Sequence, residues 1–218
     1  MLINNIIRIC KSYKLHLFVI ILFEIVNIIK GLKGNKYHFS KNNFMSDDIP
    51  CPYYFLFKIN NVLKKYKIKS FLDLGCGSGR IIDFFNKKLP DKKFIGIEYY
   101  QSQFDFCKSI FDKYKNVKIY KNDFTKINLS KYKSDCIFLN NPFKKQKNFV
   151  KFFNSTRSKL FNDKFVVLIN YDKNILKIIK NIKVLNIYYI NNDKGFIVIK
   201  VLKKRKWKKY QLYYVLST

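Results

Sequence analysis

The sequence has no CxxC pair, although it holds five cysteines, Cys10, Cys51, Cys76, Cys107 and Cys136. Their scatter argues against a zinc ribbon or a dithiol redox motif and fits free thiols in a reducing compartment. With only His16 and His38, a histidine-rich site has no ligands to draw on, and no metal is expected. No internal repeat is visible. Acidic residues are scarce, 14 against 44 Lys and Arg, which leaves a formal net charge of +30. That balance favours a nucleic acid, a membrane surface or an acidic substrate as partner. A/T-rich codons produce the same excess of Lys, Asn, Ile, Phe and Tyr, so the charge alone supports nucleic-acid binding only weakly.

Long apolar runs are also lacking. Residues 2–30 read as a helix, but its apolar part, 15–29, is interrupted by Glu24 and Asn27. A bilayer span needs about 20 mostly apolar residues. A carboxylate at mid-span costs about 2.5–3.5 kcal/mol. Lys11 and Lys14 precede the stretch, and Lys30, Lys33 and Lys36 follow it. No small-residue cleavage site follows, which argues against a signal peptide. Three readings stay open: a helix packed on the domain, a helix lying in a membrane interface with its lysines toward lipid phosphates, and a marginal anchor. A cytoplasmic location is expected, with peripheral membrane contact through residues 2–30 as an extension of it.

What is present is a full set of α/β signals. Residues 1–48 form the helix and a polar connector, 49–202 the main domain, and 203–218 a basic tail. A helix is expected over 50–66, with Pro52 in its first turn and Phe55, Ile59, Val62 and Leu63 as its apolar stripe. Strands are expected at 70–74, 93–98, 117–120, 135–139 and 165–169. Helices at 80–89, 102–114, 144–160 and 174–181 separate them. Strands at 184–190 and 196–202 flank a hairpin turn at 191–195. This alternation predicts a seven-stranded, mostly parallel sheet with helices on both faces and a C-terminal antiparallel hairpin. The tail KKRKWKKY, 203–210, reads either as a nucleic-acid contact or as a solvated end, with one more edge strand at 211–216.

The chemistry gathers where strands end. FLDLGCGSGR, 71–80, is a strand, a glycine turn and a helix start. Such a turn lets backbone approach a ligand closely, and the helix N-terminus offers unpaired N–H groups. Glu98 ends the second strand, where a carboxylate can accept from two ribose hydroxyls. The spacing Gly75-x-Gly77-x-Gly79 differs from the dinucleotide fingerprint GxGxxG. Asp73, two residues before the first glycine, would repel a pyrophosphate but suits an ammonium group. S-adenosylmethionine carries an ammonium, a sulfonium and a ribose, so the charge logic favours it over a nicotinamide dinucleotide.

DLGCGSG, 73–79, resembles the first motif of the class I S-adenosylmethionine-dependent methyltransferases, and IGIEYY, 95–100, resembles the second. KNDF, 121–124, places Asp123 where members often hold the adenine amino group. The resemblance covers about residues 53–202 and implies a Rossmann-like fold. It implies that Asp73, Gly75, Cys76, Gly77 and Gly79 approach the methionine part. Glu98 and Tyr99 then lie at the ribose, and Asp123 and Phe124 at the adenine. Tyr53 and Asn140 complete the cofactor set, Tyr53 by folding the start of its helix over the ligand.

The fourth strand ends in Asn140-Asn141-Pro142-Phe143. Amino-methylating members often carry Asp/Asn/Ser-Pro-Pro-Tyr/Phe there. Asn141 in place of the first proline departs from that pattern and resembles a small bacterial-type branch with Asn-Pro-Phe. The resemblance implies that these four residues position a nitrogen acceptor. An amide oxygen and a main-chain carbonyl would accept its N–H bonds, and an aromatic ring would stack on it. A protein side chain or a nucleic acid is expected as acceptor ahead of a small molecule. The alternative is a non-catalytic module of the same fold that binds RNA or a membrane through its basic face.

Overall fold

Short apolar runs alternate with amphipathic segments along the chain, and in the computed structural model each run becomes a strand of one sheet. The structure describes residues 17–31, 50–190 and 194–202. The first half of the N-terminal helix, the connector at 32–48, the hairpin turn at 191–193, the basic tail and the strand expected at 211–216 lie outside the described residues.

Strands β1 (Ser70–Leu74), β2 (Lys93–Glu98), β3 (Val117–Lys121), β4 (Cys136–Asn140) and β5 (Phe165–Ile169) run parallel. Strands β6 (Ile182–Tyr189) and β7 (Gly195–Val201) are antiparallel to each other, and β7 is antiparallel to β5. The order is β3-β2-β1-β4-β5-β7-β6. The last described strand therefore lies inside the sheet, and among the described strands β6 forms its edge. β4 and β5, CIFLN and FVVLI, are apolar almost throughout and buried on both faces, as central strands covered by helices must be.

The helices are α1 (Leu17–Ile29), α2 (Tyr53–Leu63), α3 (Arg80–Lys88), α4 (Gln101–Phe111), α5 (Gln146–Thr156) and the single turn α6 (Ile175–Ile178). Alternate residues of β1 feed two cores. Phe71 faces the core shared with α2, α3 and α4, where it stacks on Phe94 at 5.2 Å between ring centroids. Leu72 and Leu74 face the core shared with α5.

Several helices are shorter than the sequence predicts, and two of them show a local cause. α5 gives way at Arg157 to a wider π-helical turn, Arg157–Phe161. The Ser155 and Thr156 hydroxyls both donate to the Phe152 carbonyl, a local competitor of the helical ladder. The helix expected at 174–181 keeps one turn. Asn181 takes a left-handed φ of 53°, its carbonyl accepts from the Arg157 guanidinium at 2.9 Å, and the chain enters β6 at once.

The described part of α1 packs on the domain. Ile20 is buried, and the Phe23 ring meets Tyr54 and Phe57. Glu24, a burden for a membrane span, is the polar anchor of this contact. Its Oε1 accepts from the Tyr53 N–H at 2.8 Å, and its Oε2 pairs with the Arg80 guanidinium at 2.7 Å. One helix thus ties down the first turns of both α2 and α3. Among the described residues no helix is long and apolar enough to cross a membrane.

Candidate active site

The glycine turn is built as its sequence requires. Gly75, Gly77 and Gly79 have φ of 76°, 54° and 81°, the left-handed region that favours glycine. The N–H groups of Gly75 and Cys76 both donate to the Ile97 carbonyl, which fastens the turn to the end of β2. Gly79 also has no room for a side chain: a Cβ there would lie 2.5 Å from the Phe111 ring and 2.7 Å from the Cys107 sulfur. α3 therefore starts hard against α4. Arg80, the first residue of α3, is 5% exposed; beyond Glu24 it reaches the Cys51 carbonyl at 3.2 Å and lies over the Tyr53 ring at 4.5 Å.

The acidic residues lie at the carboxyl edge of neighbouring strands, where open α/β sheets bind ligands. Asp73 is 2% exposed and is in register with Gly96 on β2 and Phe138 on β4. Glu98 is buried at the end of β2. Its Oε2 accepts from the Gly77 N–H at 2.8 Å, and its Oε1 accepts from the Tyr99 and Tyr100 N–H groups at 2.7 Å. This carboxylate joins the glycine turn to the start of α4. Tyr99 beside it is 41% exposed and offers a ring at the rim. Asp123 follows β3, the strand next to β2. It accepts from the Thr125 N–H and hydroxyl and pairs with Lys126 at 3.5 Å. Phe124 is buried, with its ring edge close to the Gly75 backbone.

Asn140 ends β4, and Asn141 adopts a left-handed φ of 39°. A left-handed asparagine is a modest local strain of the kind that collects at functional loops. A Cβ at Gly75 would lie 3.4 Å from the Pro142 side chain, so this loop borders the glycine turn. Apart from Tyr53 and Phe143, the sequence-predicted cofactor and acceptor residues fall at the carboxyl ends of neighbouring strands. Those two differ in detail. Phe143 is 1% exposed, and its ring is enclosed by Phe124, Phe149 and Phe152, so here it supports the loop from the core side. Tyr53 is likewise fully buried, with its ring between Phe84 and the Arg80 guanidinium.

Asn170 was not among the predicted residues. It follows β5 in a left-handed conformation (φ 58°), and its amide donates to the Asn140 Oδ1 at 3.0 Å. The cue for it was positional, an asparagine one residue past the strand paired with Asn140. The thiols near the site are held neutral. Burial pushes Cys51 up, and the Cys107 thiol together with burial pushes Cys76 up. Neither offers a thiolate nucleophile. Among the described residues no cluster of His, Cys, Asp and Glu is arranged to hold a metal ion.

The residues present fit a bound nucleoside with an amino-acid tail. Left-handed glycines expose backbone at the end of β1, and the buried Asp73 and Glu98 put two carboxylates at neighbouring strand ends. No curated protein matches the sequence. Among solved structures, an RNA methyltransferase from Salinibacter ruber in complex with S-adenosyl-L-homocysteine superposes with a TM-score of 0.58 at 13% identity. It covers 72% of this chain and 96% of its own. The methyltransferase domain of bacterial CtHen1 gives 0.55 at 13% identity, over 67% of this chain and 96% of its own. The N-methyltransferase NodS from Bradyrhizobium japonicum gives 0.52 at 8% identity, over 68% and 94%. At these identities the likeness is one of fold. A family model described as a methyltransferase domain matches residues 65–214, more than half of the chain, and the chain belongs to that family.

Proposed function

We propose that the protein transfers a methyl group from S-adenosylmethionine to a nitrogen acceptor. The observation that carries the reading is the buried Glu98 carboxylate, bonded to the glycine turn through Gly77 and set between Asp73 and Asp123 at the carboxyl edge of the sheet. Asp73 is the counter-charge for the ammonium group and Glu98 the acceptor for ribose hydroxyls. Asp123 and the exposed Tyr99 ring flank the base. The family match and the methyltransferase neighbours support the same cofactor.

When bound, S-adenosylmethionine supplies a methyl group already activated by its sulfonium. The chain's own task is then positioning, which can supply most of the acceleration for a bimolecular transfer. Asn140 and the strained Asn141 present amide and main-chain oxygens to the acceptor's N–H groups, which aims its lone pair. Asn170 fixes the Asn140 amide. The Cys51 and Cys76 thiols are neutral, so neither offers the base that a hydroxyl acceptor would need.

Calorimetric titration tests the cofactor reading. The parent protein is expected to bind S-adenosylmethionine, and Glu98→Ala to bind it at least about tenfold more weakly, a loss of about 1.4 kcal/mol or more. Absence of binding by a folded parent protein sinks the proposal. Transfer of a tritiated methyl to fractionated lysate reads the acceptor class. Methyl label recovered on nitrogen after hydrolysis of the labelled fraction supports the reading; label only on oxygen refutes it.

A further inference from the structure

The inner face of α1 is committed to the domain, and its outer face is almost wholly apolar. At 3.6 residues per turn, Phe18, Leu22, Ile25 and Ile29 fall on one line along the helix, flanked by Val19 and Val26. All six are exposed, Phe18 at 71% and Ile29 at 78%. Ile20, Phe23 and Glu24 hold the opposite face against α2 and α3. The exposure is therefore built in, since the Glu24 contacts to Tyr53 and Arg80 prevent the helix from rolling its apolar line inward. Scattered exposed apolar residues are ordinary, but a contiguous patch marks an interaction site.

We propose that this face docks on an anionic membrane surface, with α1 lying in the interface plane. Charge argues for lipid. The chain carries +30, and Lys30 is exposed at the C-terminal end of α1, where the Lys87 ammonium also donates to the Gly31 carbonyl at 2.6 Å. An apolar line bordered by cations is the arrangement that buries side chains at the acyl boundary while lysines meet lipid phosphates. Among the described residues no helix is long and apolar enough to cross a membrane. Self-association of two copies through the same face would bring two strongly cationic bodies together, which the charge disfavours. Docking by α1 orients the rest of the molecule, because the same helix holds the first turn of α3 directly behind the glycine turn. The inference stands on the helix and its charge surroundings and does not depend on the methyl-transfer reading.

The test is flotation of the full chain with vesicles of phosphatidylcholine, with or without about one third phosphatidylserine. The expected result is binding to the anionic vesicles, little to the neutral ones, and weakening at high salt. Leu22→Asp with Ile25→Asp is expected to lower vesicle affinity at least about tenfold. S-adenosylmethionine titration and the urea midpoint should stay at parent values, which shows the variant is folded. Failure of the parent to bind anionic vesicles overturns the proposal, as does undiminished binding by the doubly substituted chain. So does a parent dimer in sedimentation equilibrium that the two substitutions convert to monomer without any vesicle binding by the parent.

Discussion

Replacing Glu24 with alanine isolates the contact on which the α1 assignment rests. The substitution removes the Glu24 carboxylate from the Arg80 guanidinium, 5% exposed, and removes the acceptor of the Tyr53 N–H. Breaking a buried pair on one side costs about 3–5 kcal/mol, because the remaining charge stays desolvated. Three features set the value here. Glu24 is 24% exposed, which lowers it; the Cys51 carbonyl and the Tyr53 ring still face Arg80, which lowers it further. The orphaned N–H adds about 1 kcal/mol. The net expectation is about 3 kcal/mol, a large share of the 5–15 kcal/mol typical of a domain. With a urea dependence of about 3 kcal/mol per molar, the midpoint should fall by about 1 M. Glu24→Gln keeps an amide oxygen for the Tyr53 N–H and should lose less than Glu24→Ala. A shift below about 0.2 M for Glu24→Ala, or a Glu24→Gln variant no better than it, would refute the account of Glu24 as the anchor.

Gly79→Ala is expected to cost about 2–5 kcal/mol, from a left-handed φ of 81° and a Cβ 2.5 Å from the Phe111 ring. Chemical denaturation reads it, and a loss under about 1 kcal/mol would mean that α3 and α4 are less tightly apposed than described. Asp135 accepts from the Lys69 N–H and from the Ser70 N–H and hydroxyl, joining the starts of β1 and β4. Partial burial raises its pKa, but these donors outweigh it and hold the carboxyl below its ordinary value. A depressed folded-state pKa stabilises above the unfolded value of about 3.9 and loses that contribution as pH falls through the folded value. Asp135→Asn should therefore narrow the stability difference between pH 6 and the acid region below about pH 4. An unchanged pH dependence contradicts the assignment.

The five parallel strands were legible because each is a short apolar run bounded by turn residues, and the glycine turn was legible because its geometry needs glycine at three places. The function of Glu24 was not. Its partners, Tyr53 and Arg80, lie 29 and 56 residues away, and sequence shows a carboxylate in an apolar run without showing what it meets. Asn170 escaped for the same reason, since its bond to Asn140 arises from pairing of β4 with β5 across 30 residues. Phe143 was placed correctly along the chain but not around it. The direction of its ring depends on Phe124, Phe149 and Phe152, which come from two other segments. The early end of the helix expected at 174–181 follows from Asn181 and Arg157, a contact across 24 residues that no local propensity contains.

The position of β7 between β5 and β6 has a consequence for synthesis. β5 leaves the ribosome with one side ready to pair with β4, but the partner for its other side is made last among the described strands. From Ile169 to Val201 the ribosome must add 32 residues, which at 5–20 residues per second takes about 2–6 s. During that time FVVLI, free of charge and rich in β-branched residues, keeps an open row of N–H and C=O groups. The nascent chain is then most vulnerable to strand addition by a neighbour. A chaperone or a rapid rate of elongation across residues 170–201 would raise the yield of folded protein without altering its final stability.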